Sequence, residues 1–280
     1  MKIHKLSIFV LILILLISNT AFASMEDKLT GHWAKDTINK EFLSYYFPYF
    51  ARDNFNLFQP DNPMSRDGLA LSTSSLFKAK GYTVSGMETR GEITRKEMLI
   101  IIGSRLKKIG ITPDPNHKLD FVDIQGLTEE AKDYLKILNK EKIILGVGGA
   151  SFGGDKKLSQ AEAVVILQRV ESFLNRLNKI NFITKSVESS YNNKEEIITT
   201  IGDTDVVLAI TKQFPNPGYT LSVKEVLKQG DKFKVYLESK KPPADSIQLQ
   251  VITFKTIQIQ MQKSDLGGGP YNFVVDGFIE

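Results

Sequence analysis

Ile93-Thr94-Arg95-Lys96-Glu97 stands directly before Met98, Leu99, Ile102, Leu106 and Ile109, apolar residues spaced along one face of a helix. Two other stretches repeat this arrangement: Met64-Ser65-Arg66-Asp67-Gly68, and Leu158-Ser159-Gln160-Ala161-Glu162 ahead of Val164, Leu167, Val170, Phe173, Leu174 and Leu177. Each places an apolar residue and a hydroxyl before an amphipathic helix. A repeated unit of this kind buries its apolar face against its own copies, so the N-terminal half reads as a helical repeat assembly. Thr94 with Glu97, and Ser159 with Glu162, have the spacing of capping boxes, in which the hydroxyl caps the third amide and the glutamate reaches back. Capping accounts for the hydroxyls and glutamates. It does not account for Arg66 and Arg95, because a helix start carries partial positive charge and disfavours a cation. An arginine there makes sense if it and the helix start face a common anion, which a guanidinium can grip through two parallel hydrogen bonds.

Further matches lie around these helix starts. Leu76 to Gly86 and Leu138 to Gly146 each carry a helix end into a few β-branched or apolar residues and then glycine. Gly31-His32-Trp33-Ala34 is expected to open a helix, and Phe58-Gln59-Pro60-Asp61 precedes the first motif. Phe121-Val122-Asp123 opens the last copy, where Phe152 corresponds to Phe58. Another helix is expected through Ala131, Tyr134, Leu135 and Leu138.

The N-terminus has the three-part pattern of a secretory signal peptide. Lys2 and Lys5 precede the apolar run Leu6 to Ile17, and Ala21-Phe22-Ala23 is an A-x-A cleavage site. A spanning helix needs about 20 apolar residues, and Ser18-Asn19-Thr20 ends this run early. Cleavage after residue 23 is therefore expected, with no membrane span left in the mature chain. The chain has no cysteine, which excludes disulfides, thiol chemistry and a lipid-anchored N-terminus. Its net charge of +4 includes Lys2 and Lys5, leaving +2 on the mature part. With scattered basic residues, that does not argue for nucleic acid.

Beyond residue 178 the pattern changes from helical spacing to runs rich in Val, Ile, Phe and Tyr: Asp205 to Thr211, Tyr219 to Leu227, Lys232 to Leu237 and Ile247 to Ile259. Phe214 to Gly218, Gln229-Gly230-Asp231 and Lys241 to Asp245 supply the turns between them, while polar Ser186 to Lys194 reads as a loop. The fold class is α+β and multidomain: a signal segment at 1–23, an all-α repeat region at 24–177, and a small, mostly antiparallel β domain at 178–280.

Taken in order, these N-terminal motifs resemble the S-layer homology domain, usually present in three copies, whose pattern runs F-x-D, H-W-A, helix, G-I-x-x-G, F-x-P and T-R-A-E. The resemblance covers about residues 29–177, with copies at about 29–80, 81–112 and 118–177 and an insertion around Tyr46 to Asn56. It implies a pseudo-three-fold helical assembly whose grooves bind secondary cell-wall polymers, often through a pyruvate ketal. By position, Arg66 and Arg95 would meet the carboxylate. Trp33 would line a groove, or else pack under it as a core residue. Gly86 and Gly146 would let the backbone turn beside the sugar. Gln160, in place of the third arginine, would be a weak polymer contact, able to hydrogen-bond a sugar but not to pair with a carboxylate as an ion, and Asp67-Gly68 replaces Ala-Glu in the first copy, so at most two fully competent grooves are expected.

The β domain resembles the C-terminal domain of the PrcB subunit of a bacterial surface protease complex, through Asn216-Pro217-Gly218-Tyr219 and the order of strands around it. That implies an accessory role with a surface protease or another envelope protein as partner. The same residues also resemble a shortened loop of chagasin-like protease inhibitors, which would make the chain a wall-tethered protease regulator. The plain alternative is a turn with Tyr219 packed on the sheet. Catalysis is not expected. Only His32 and His117 follow the signal segment, there is no H-E-x-x-H, and no metal or cofactor is implied. Gly149-Ala150-Ser151-Phe152-Gly153 fits G-x-S-x-G, yet Gly154-Asp155-Lys156-Lys157 separates its serine from the next helix, unlike a nucleophile elbow. An exported protein on the cell wall, non-catalytic and displaying its β domain, is the function expected.

Overall fold

The computed structural model describes residues 24–83 and 90–278. The signal segment expected at 1–23 and the expected polymer contact Gly86 lie outside the described residues. The chain is α+β, with eight helices and two sheets among the described residues. Two compact units emerge: residues 24–75 with 90–169, and residues 76–83 with 170–278.

The first unit is helical. α1 (Met25–Lys28) starts with a capping box from Ser24, and α2 (Lys40–Tyr46) is capped by Asn39. Gly31-His32-Trp33-Ala34 does not open a helix as expected. It leads through successive turns, with Lys35 N donating to His32 O and Thr37 N to Ala34 O, before α2 begins. The insertion around Tyr46 to Asn56 forms α3 (Pro48–Phe55), which departs from helical geometry at its end. Asp53, Asn54 and Phe55 all have positive φ, and the Lys28 ammonium donates to the carbonyls of Phe55, Asn56 and Phe58 at 2.7–2.9 Å. A left-handed turn of non-glycine residues costs about 1–2 kcal/mol per residue, and a cation bound to its carbonyls offsets part of that.

One continuous helix, α4 (Arg66–Ala79), starts in the first motif. α5 (Arg95–Lys108) and α6 (Glu129–Lys140) follow, capped by Thr94 and Thr128. α7 (Gln160–Leu177) follows the third motif. The three helix starts meet in a closed ring of hydrogen bonds. Met64 N donates to Leu158 O at 2.7 Å, Leu158 N to Ile93 O at 2.9 Å, and Ile93 N to Met64 O at 3.1 Å. A second set closes the ring in the opposite sense: Arg66 N to Gly91 O, Arg95 N to Lys156 O, and Gln160 N to Asn62 O. Met64, Ile93 and Leu158 are each fully buried, so these amides and carbonyls, cut off from water, satisfy one another.

The second unit holds the strands β1 (Lys179–Ile180), β2 (Ile183–Ser190), β3 (Glu196–Ile201), β4 (Asp205–Phe214), β5 (Thr220–Gln229), β6 (Lys232–Lys240), β7 (Thr253–Gln262) and β8 (Asn272–Phe278). They form two sheets, ordered β1-β5-β6-β8 and β2-β7-β4-β3. All pairs are antiparallel except β6 with β8. Every second residue of β4 (Val206, Leu208, Ile210), β7 (Ile257, Ile259, Met261) and β6 (Phe233, Val235, Leu237) enters one shared core. In β5 the alternation shifts from Leu221 and Val223 to Val226, where a bulge inserts a residue. Residues 76–83 are tied to this unit by a Lys80–Glu171 ion pair at 2.7 Å and by Tyr82 Oη donating to Asn178 Oδ1 at 2.8 Å.

Several expectations are corrected here. Helices are not confined to the N-terminal half, because α8 (Lys263–Leu266) follows β7 and buries Leu266. The strand expected from Ile247 starts only at Thr253. Residues 247–252 alternate as a strand would, but both neighbours of β7 stop where it starts, with Phe214 opposite Thr253 and Ser190 opposite Phe254. Without a ladder partner, Ile247 and Leu249 remain exposed. Conversely, the loop expected over Ser186 to Lys194 is strand as far as Ser190. β2 is an edge strand that pairs through its backbone and needs few apolar side chains.

α5 and α6 pack closely at Gly103, where a Cβ would collide with the Tyr134 ring. Gly→Ala inside a helix normally stabilises by about 1 kcal/mol. Here overpacking reverses the sign: Gly103→Ala is expected to destabilise by about 1–3 kcal/mol in urea unfolding followed by circular dichroism. A stabilised variant would refute this packing.

Candidate functional site

Each capping glutamate of the first unit serves two helix starts. Glu162 Oε2 accepts from Ser159 N at 2.9 Å, closing its own capping box, while Oε1 pairs with Arg95 Nη1 at 2.9 Å. Glu97 Oε2 accepts from Thr94 N at 2.8 Å, and its Oε1 pairs with Arg66. The backbone hydrogen bond, the Thr94 hydroxyl and Arg66 together hold the Glu97 carboxyl below its ordinary range, against burial. Thus the anion facing each expected polymer-binding arginine belongs to the chain itself, to the motif next in sequence. Arg95 is 4% exposed, donates through Nε to Phe152 O at 3.0 Å and lies over the Phe152 ring. Burial lowers its pKa, and Glu162 opposes that shift.

The third junction lacks both members of the pair. Gln160 stands where the arginine would be, and its Oε1 accepts from Gln59 N at 2.9 Å. Gly68 stands where the glutamate would be, and a Cβ there would lie 2.9 Å from Tyr49 Oη. Tyr49 comes from the inserted helix α3 and is hydrogen-bonded to Ser72 Oγ. The two sequence departures, distant along the chain, are therefore the two halves of one missing ion pair, with part of its space taken by the insertion.

Trp33, Arg95 and Gly146 come together around a groove of about 410 Å³. Trp33 is 58% exposed, so of its two expected placements the groove lining is the one found. Gly146 has φ +84°, and a Cβ on it would lie 2.7 Å from Ser151 O and 2.9 Å from the Phe121 ring, so glycine is required. Ile143, Ile144 and Val147 give the groove an apolar wall. Arg66 and Gln160 do not line it.

Arg169 does, and sequence reasoning missed it. It projects from α7 into the groove and donates to Ile143 O at 3.2 Å. No ion pair joins it to a carboxylate among the described residues. Burial, then the charge of Arg95, lowers its pKa. The groove thus holds two guanidinium groups against one carboxylate, Glu162, a surplus of one positive charge. Its position three residues past Ile166 on the helical period was the available signal, but in the sequence it looked like an ordinary solvent-facing arginine.

Asp123 fixes the loop that shapes this groove. Its carboxylate accepts from Ser151 Oγ at 2.7 Å, Phe152 N at 2.7 Å and Gly153 N at 2.8 Å. Burial pushes its pKa up, but these hydrogen bonds outweigh it and hold the value at about 2. Ser151 therefore braces the loop through its hydroxyl. In the second unit, Asn216 Oδ1 accepts from Gly218 N at 3.0 Å, and Tyr219 stacks on Phe214 with ring centroids 5.4 Å apart. A Cβ on Gly218 would lie 2.5 Å from the Gln248 carboxamide and 2.8 Å from Pro242 Cβ, so this loop packs closely against residues of its own unit. Among the described residues no group of three His, Asp or Glu could hold a metal ion, and no helix is long and apolar enough to cross a membrane.

Residues 120–164 match the family model of the S-layer homology domain. The match takes in Asp123, Gly146, Ser159 and Glu162. No curated protein matches the chain.

Two outcomes follow from this geometry. Arg95→Ala strands the Glu162 carboxylate beside a buried cavity and is expected to cost about 3–5 kcal/mol in urea unfolding, whereas Arg66→Ala, in a more exposed pair, costs about 1 kcal/mol. Equal losses would contradict the difference in burial. Asp123, ionised down to about 2 when folded and to about 3.9 when unfolded, contributes stability above about pH 4 that is lost as pH falls towards 2. An acid titration by circular dichroism should show a shallower fall over that window for Asp123→Asn, and superimposable profiles would exclude the role.

Proposed function

We propose that the first unit is a three-copy S-layer homology assembly that attaches the chain non-covalently to a cell-wall polysaccharide, with the signal segment at 1–23 directing export. The ring joining residues 64, 93 and 158 is its pseudo-three-fold axis. The family match at 120–164 supports the third copy, and the cyclic hydrogen bonds support extending the repeat to the other two.

The single observation that carries the binding site is Arg169, a half-buried cation with no carboxylate partner among the described residues, in a groove shared with the exposed Trp33. An indole face suits the CH face of a sugar ring, and a guanidinium suits a carboxylate such as a pyruvate ketal. Arg95, held by Glu162, lends positive potential from the floor, and Gly146 admits the backbone close to the sugar. Arg66 with Glu97 forms the corresponding pair at the next junction. The junction of Gln160 with Gly68 lacks an ion pair and is not a binding groove.

The second unit is the part displayed. We assign it a non-catalytic role in contact with another envelope protein. The exposed Ile247 and Leu249, beside the loop Asn216 to Tyr219, give that contact an apolar surface. The PrcB-like resemblance of this unit suggests a surface protease complex as the setting.

Sedimentation with purified cell walls tests the attachment. Trp33→Ala and Arg169→Ala are each expected to weaken binding about tenfold, near 1.4 kcal/mol, with little change in Tm. A pyruvylated sugar should compete and its unpyruvylated form should not. Full binding by the Trp33→Ala/Arg169→Ala double variant would sink the groove.

A further inference from the structure

We propose that a second groove on the first unit, of about 500 Å³, binds a segment of anionic glycan, so that the chain grips its polymer at two places. The site goes beyond the wall-binding groove and rests on wall attachment only for the identity of the glycan.

The groove lies between the segment carrying Pro115 to Gln125 and the face of α6 that carries Lys132 and Lys136. Lys118, Lys132, Lys136 and His117 line it, and no carboxylate does. Three lysines in one groove exceed the net charge of +2 on everything after the signal segment, so this is a local concentration of charge on an otherwise balanced chain. Lys132 and Lys136 are four residues apart on one helix face, a like-charged spacing that destabilises a helix unless something offsets it. Glu129 pairs with Lys132 at 2.7 Å, but its side chain is 87% exposed, and Asp133 reaches Lys136 only at 4.0 Å. Lys118 is exposed and makes no ion pair among the described residues.

His117 adds a directed polar atom. Asn139 Nδ2 donates to Ile144 O at 3.1 Å, which fixes Oδ1 as the atom that meets His117 Nε2 at 2.9 Å. Nε2 therefore carries the hydrogen, leaving Nδ1 as the ring's remaining polar atom. Leu119 and Ile124 provide an apolar floor. Cations above a floor of aliphatic carbon suit a glycan with acidic substituents. Single-stranded nucleic acid is typically held by stacking on Phe, Tyr or Trp rings, and none of these lines the groove.

The test uses the whole chain from residue 24 and isothermal titration with hyaluronate oligosaccharides, a carboxylate-bearing glycan. Neutral dextran and single-stranded DNA serve as the other probes. Wild type is expected to bind hyaluronate and not dextran, with Lys118→Ala/Lys132→Ala/Lys136→Ala weakening it about tenfold or more and added salt abolishing the difference. The triple Lys→Arg variant should retain binding, which separates lost charge from lost folding. Equal binding by wild type and the alanine variant, no hyaluronate binding at all, or a clear preference for DNA would each overturn the proposal. Wall sedimentation distinguishes the two readings. If Arg169→Ala leaves sedimentation unchanged while the hyaluronate result holds, the first groove fails and this one stands.

Discussion

The first unit depends on a carboxylate that holds two helix starts at once. Glu162 caps α7 through one oxygen and pins Arg95 of α5 through the other, and Glu97 does the same for α5 and Arg66 of α4. The arrangement resolves the awkward placement of a cation at a helix N-terminus. Each arginine sits beside a partial positive charge, but its neighbour's glutamate sits there too, and one anion neutralises both. Because Arg95 is buried, the starts of α5 and α7 cannot separate without stranding a charge. This link holds together α5 and α7, the two helices that line the groove with Trp33 and the segment Ile143 to Val147.

The missing third pair shows how such a lattice tolerates loss. Removing the arginine alone would leave a stranded glutamate, and removing the glutamate alone would leave a stranded arginine. Here both are gone, Gln160 turns to a local amide, and Tyr49 crowds the site where Gly68 leaves room. The second unit follows a different logic, in which backbone pairing decides extent. β7 could have continued upstream by its side-chain pattern, yet it begins where β2 and β4 run out.

Much of this was legible in the sequence. The repeated apolar residue and hydroxyl located three helix starts, the glutamates located two of their caps, and the runs of β-branched residues located β4, β5 and β6. What was hidden depended on distant contacts. Glu162 reads as a capping residue because capping is local, and its bond to Arg95 spans 67 positions. Arg169 looks like one more surface cation until the fold leaves it facing the groove with no ion pair among the described residues. Ser186 to Ser190 looks like a loop because an edge strand can be polar on both faces. Trp33 could be read two ways from its neighbours alone, since the difference between floor and rim is set by chain segments more than a hundred residues away.

Trp33 is also the chain's one tryptophan, and it stands more than half exposed at the rim of the groove. Its emission therefore begins from a hydrated indole. Unfolding changes that environment little, since the ring already meets water, whereas a sugar laid across it would dry one face and shift the spectrum. In this molecule, tryptophan fluorescence is thus largely blind to the cores of both units and tuned to a single place on the surface, an optical property that follows from where one aromatic ring was left uncovered.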